Sequence, residues 1–137
     1  MLLHKDGLIE LNYEVANDIL SMDWPDLTGF TMPEISYSIR KLIDTLRHYD
    51  IKYLLVNSQQ SNVSELTRAE YQRVLMEFVQ QLMNTRLQKL ARISTFDISR
   101  ENVVDGIAEV ALIQLGIQFE FRNFQYMEAA LDWLRDK

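Results

Sequence analysis

Tyr53-Leu54-Leu55-Val56, then Asn57-Ser58-Gln59-Gln60-Ser61-Asn62-Val63-Ser64-Glu65-Leu66, then Thr67-Arg68-Ala69-Glu70: an apolar run, a polar stretch and a helix start decide how this chain folds. Four apolar residues in a row between polar ends suit a strand covered on both faces, near the centre of a sheet. Thr67 to Glu70 is a T-x-x-E capping box. Behind it Tyr71, Val74, Leu75, Phe78, Val79 and Leu82 recur at helical spacing.

Upstream the same logic repeats. Leu8, Ile9, Leu11, Tyr13 and Val15 are separated from Ile19, Leu20, Met22 and Trp24 by the turn formers Asn17 and Asp18, which predicts a β-hairpin ended by Pro25. Thr31-Met32-Pro33-Glu34 is another capping box, with proline in the first turn where its missing N–H is not needed. Ile35, Ile39, Leu42, Ile43 and Leu46 give the following helix one core-facing stripe.

Downstream, Leu90 to Thr95 reads as a strand. Ser99 is placed to cap a helix carrying Val104, Ile107, Ala108, Ala111, Leu112 and Leu115, with Gly116 at its left-handed end. Ile117, Phe119 and Phe121 alternate with polar residues, the pattern of an edge strand with one wet face. A final amphipathic helix holds Met127, Ala130, Leu131 and Leu134. The order β-β-α-β-α-β-α-β-α calls for an α/β fold: mostly parallel strands joined by right-handed crossovers, and one antiparallel strand from the hairpin.

A chain of 137 residues fits one domain, residues 1–137, and needs no staples for its core. The 20 acidic and 14 basic residues leave a net charge of -6, which opposes attraction to nucleic acid or an anionic membrane. Arg68, Arg73, Arg86, Lys89 and Arg92 are interleaved with Glu65, Glu70 and Glu77, so they form no basic stripe. Without cysteine there is no disulfide, zinc-thiolate site or redox thiol. Met1 to Leu11 lacks a secretion-signal pattern, and no apolar run reaches the ~20 residues that span a bilayer. A soluble, cytoplasmic protein is expected.

The polar stretch after Val56 is the most suggestive local feature. It leaves the C-terminal end of a central strand and enters a helix N-terminus, where α/β sheets meet ligands and free N–H groups favour anions. Asn57, Ser58, Gln59, Ser61, Ser64 and Thr67 are the candidate ligand- or partner-binding residues. Such residues are also ordinary loop formers, and with no glycine among them a phosphate-wrapping loop is not expected. A phosphate on Ser58, Ser61 or Ser64 would add charge beside that helix N-terminus.

The sequence supplies few parts for catalysis. His4 and His48 lie far apart and show no metal-ligand spacing, so no metal or other cofactor is expected. Asp97 has no acid, histidine or lysine tied to it by a recognisable spacing, and reads as a loop residue before the Ser99 cap. No serine sits in a G-x-S-x-G elbow. Trp24, Phe30, Phe124, Tyr126 and Trp133 fall near element ends, where aromatics more often close a core than line a pocket.

Several segments resemble the SpoIIAA-like proteins of the STAS-like superfamily, often grouped with CRAL-TRIO-type lipid-binding domains. They are the hairpin ending in Ile19 to Trp24-Pro25, the capped helix from Thr31, the strand Tyr53 to Asn57, and the closing F-x-x-x-E-x-A-x-x-W-L of Phe124 to Leu134. The resemblance implies a βα superhelix with an N-terminal hairpin and about four helices, acting without catalysis as a protein-interaction or small-ligand module. STAS regulators place an Asp-Ser pair at the start of the helix after this strand. Here the strand ends in Asn57-Ser58 and the capped helix begins only at Thr67, so Ser58 is the one residue carried over as a phosphoacceptor.

The expectation is therefore a regulatory or binding module contacting a protein partner or a small apolar or anionic ligand, with a homodimer through the last strand or an aromatic patch as a further option. Two alternatives stand beside it. One is a lipid carrier, which needs an apolar cavity of at least ~300 Å³. The other is a small enzyme built from Asp97, Ser58 and Asn57 at the strand C-termini.

Overall fold

The computed structural model describes residues 1–63 and 66–136. Six strands form one sheet in the order β1 (Leu2–Lys5), β2 (Glu10–Glu14), β3 (Ile19–Asp23), β4 (Tyr53–Asn57), β5 (Lys89–Ile93) and β6 (Glu120–Phe124). The first three run antiparallel as a meander, and β3 to β6 are parallel. The sheet is thus mixed, and the chain is of the α/β class.

Four α-helices accompany it among the described residues: α1 (Met32–His48), α2 (Arg68–Leu82), α3 (Ile98–Val110) and α4 (Met127–Arg135). α1, α2 and α3 each cross between neighbouring parallel strands. Because the strand order never reverses, same-handed crossovers put all three on one face of the sheet. α4 follows the last strand and covers the opposite face.

The two faces follow strand alternation. Leu20, Met22, Leu54, Val56 and Leu90 pack beneath α1 and α2 with Ile35, Leu42, Leu46, Val74, Phe78 and Leu82. Ile19, Tyr53, Leu55, Ala91 and Ile93 point the other way, against Ala130 and Leu134 of α4. The expected central strand is β4, flanked by β3 and β5.

Both capping boxes form: Thr31 accepts from Glu34 N and Thr67 from Glu70 N. Three local features differ from expectation. β1 adds an edge strand that its short, half-polar sequence did not suggest. α3 is capped by Asp97, whose carboxylate accepts from Arg100 N, so the helix begins before Ser99. The last strand starts at Glu120, leaving Ile117 and Phe119 in the approach to it.

Candidate functional site

α3 stands off the sheet, packing chiefly on α2 and on the single π-helical turn that extends it, Ala111–Leu115. Gly116, in the left-handed conformation at φ 63°, ends that turn. Beneath α3, above β4, β5 and β6, lies a cavity of about 740 Å³. Its deep wall is buried: Trp24, Val56, Phe78, Leu90, Val104 and Phe119. Its outer wall is half-exposed, with Leu75, Val79, Ile107, Ala108 and Phe121, and the exposed Glu109, Leu112, Glu120 and Arg122 lie at the mouth. Single π turns often occur at functional sites, and this one forms part of the lip.

A polar strut closes the cavity at the C-terminal end of the strands. Arg92 of β5, 8% exposed in its side chain, donates Nη1 to Glu101 Oε1 at 2.7 Å and Nη2 to Oε2 at 2.8 Å. Nη1 also donates to Asn123 Oδ1 of β6 at 3.0 Å. Thr95 adds Oγ1 to Glu101 Oε2 at 2.7 Å. Burial alone would raise the Glu101 carboxyl, but the hydrogen bonds from Arg92 and Thr95 and the Arg92 charge outweigh it and bring it down to about 2. The pair is therefore ionised and carries no net charge.

A second buried arginine ties the post-β4 loop to the helices. Arg100 donates Nε to Tyr71 Oη at 3.0 Å, Nη1 to Ser61 O at 3.0 Å and Nη2 to Ser61 Oγ at 2.8 Å. The loop leaves the sheet at the C-terminal end of β4, as expected, and Leu27 N donates to Asn62 O across it.

The candidate residues divide among separate roles. Ser58 is 2% exposed and lines the cavity. Asn57 lines a separate polar cleft of about 320 Å³ that also includes Glu10, Asn12, Ser21 and Asp23; its Oδ1 accepts from Gln59 N. Gln59 donates Nε2 to Gln125 O, Ser61 accepts from Arg100, and Thr67 caps α2. Ser64 lies outside the described residues. Asp97, Ser58 and Asn57 do not converge: the first caps α3 and the other two line different concavities. No group of three or more histidine, aspartate or glutamate side chains is close enough to hold a metal ion among the described residues, and no described helix is long and apolar enough to cross a membrane.

Sequence reasoning did not find the buried roles of Arg92 and Arg100, and it favoured core closure over pocket lining for Trp24, which lines the cavity. A signal for Arg92 existed: it interrupts Leu90-Ala91-Arg92-Ile93, and an arginine inside an apolar strand is buried only with a partner. Comparison with protein-family models, with curated proteins and with solved structures finds no match for this chain.

Proposed function

We propose that this chain is a non-catalytic binding module that takes one small, mainly apolar ligand into the cavity under α3. The observation that supports this is a space of about 740 Å³ with a buried apolar wall, well inside the range that small-molecule sites occupy. Among the earlier alternatives it favours the apolar-ligand carrier over contact through the post-β4 loop alone. The finer assignment to a STAS-like, SpoIIAA-like domain belongs to the same proposal and rests on the hairpin, the parallel strands with helices on one face, and the closing helix after β6.

Titration with the uncharged fluorophore N-phenyl-1-naphthylamine tests the reading. Saturable one-to-one binding is the expected result, and fluorescence that rises without saturation would overturn it.

One observation supports a second reading, contact with a protein at the strand C-termini. Phe96 and Ile98 after β5, 90% and 77% exposed, and Tyr126 after β6, 70% exposed, leave neighbouring strand ends with large apolar surfaces in water.

A further inference from the structure

The cavity's polar corner is rich in donors and poor in acceptors. Trp24 follows β3 and Ser58 follows β4, one residue past the paired Asp23 and Asn57, and Arg92 pairs with Val56 in the next row. All three line the cavity. Trp24 Nε1 is buried with no hydrogen-bond partner among the described residues. Ser58 Oγ makes no hydrogen bond among them either, although the Ser58 backbone is held by Ile93 O and Ser61 N. Arg92 uses both Nη1 hydrogens and one on Nη2, which leaves its Nε–H and the other Nη2–H.

A buried donor without an acceptor, here the Trp24 indole N–H, is costly, and a ligand acceptor relieves that cost, with the Ser58 hydroxyl and the remaining Arg92 N–H groups as further donors beside it. The charge state narrows the ligand. Arg92 is already neutralised by the ionised Glu101, and Trp24 and Ser58 are neutral, so a carboxylate seated on these three groups would meet no unpaired cation among them; Arg100 is held on Tyr71 and Ser61, and Arg122 lies at the mouth.

We infer that the ligand carries an uncharged acceptor, a ketone, ester or amide carbonyl, seated at the Trp24, Ser58 and Arg92 corner, with its apolar body running toward Leu112 and Phe121. This rests on the cavity being a ligand site. The body follows the apolar wall from the buried corner to the mouth. Specificity resides in the corner, because an apolar wall distinguishes alkyl chains only weakly.

The test is displacement of N-phenyl-1-naphthylamine by 2-decanone, decane and decanoate, with the Trp24 indole N–H followed by ¹⁵N NMR and assigned by its loss in Trp24→Phe. The ketone is expected to compete about fivefold or more better than the alkane, the gain typical of one added hydrogen bond, and better than the carboxylate. It is also expected to move the Trp24 indole resonance downfield, which decane does not. Ser58→Ala should reduce the ketone's advantage while leaving decane unchanged. Dye binding with equal competition by ketone and alkane, or with decanoate the strongest competitor, overturns the inference alone. Absence of saturable dye binding overturns the ligand-site reading beneath it.

Discussion

Arg92 and Glu101 face each other in a two-pronged ion pair, Nη1 to Oε1 at 2.7 Å and Nη2 to Oε2 at 2.8 Å, and that pair joins β5 to α3 across the end of the cavity. Removing one partner leaves the other's charge stranded in a site that water barely reaches. Glu101→Leu should therefore cost about 3 kcal/mol in urea unfolding, the low end for a broken buried pair because Glu101 keeps 20% side-chain exposure. Arg92→Met combined with Glu101→Leu should cost less than Glu101→Leu alone, since no unpaired charge remains. A double variant less stable than that single one would show that the pair holds α3 by more than its charge balance.

The same pair predicts a pH dependence. The Glu101 carboxyl titrates near 2 when folded and at an ordinary 4.5 when unfolded. A depressed folded value contributes stability that is complete above the unfolded value and is lost as pH falls toward the folded one. Between about pH 5 and pH 2 the protein should lose on the order of 1–2 kcal/mol through this group, after discounting for solvent screening. In Glu101→Gln the acid slope should be shallower over that interval, measured by urea unfolding at stepped pH.

Sequence patterning exposed the layers but not the site. The apolar run at Tyr53 to Val56 and the two capping boxes fix β4, α1 and α2 because alternation, periodicity and caps are local. The cavity is not local. It depends on α3 standing off the sheet, set by how Arg92 and Arg100 reach Glu101, Tyr71 and Ser61 from distant positions in the chain. Ser58 could be singled out as a loop serine, but its burial beside Trp24 follows from strand register, which the sequence expresses only weakly.

The start of α3 separates two neighbouring candidates for its cap. Asp97 accepts from Arg100 N at 3.2 Å, whereas Ser99 lies inside the first turn. Asp97→Ala should cost about 1 kcal/mol and Ser99→Ala a few tenths, read by thermal or chemical unfolding. Equal losses would move the cap.

Two aspartates share the left-handed backbone region and should respond oppositely to glycine. Asp50, at φ 51° after α1, has a side chain that pairs, among the described residues, only with the exposed Arg86, an interaction worth little in water. Asp50→Gly should stabilise the protein by about 0.5–1 kcal/mol by relieving that strain. Asp18, at φ 59°, accepts from Tyr13 Oη at 2.5 Å and from Lys52 N at 3.2 Å. Asp18→Gly should therefore destabilise, and the Tyr13 hydroxyl, pushed up to about 12 by burial and by Asp18, should titrate lower in that variant.

The cavity is testable by filling it. Ala108 is half-exposed on α3 and forms part of the cavity wall, so a phenyl ring there has open space to enter and little packing to disturb. Overpacking normally costs 1–3 kcal/mol, but that cost arises where no space exists. Ala108→Phe should change unfolding free energy by less than about 1 kcal/mol, mostly through helix propensity. The ring takes up volume the ligand's body needs, so affinity for N-phenyl-1-naphthylamine should fall at least tenfold, a loss of about 1.4 kcal/mol. An unchanged stability with unchanged dye affinity would place the bound dye elsewhere on the surface, since no ligand filling the space beside α3 can tolerate a new aromatic ring in it.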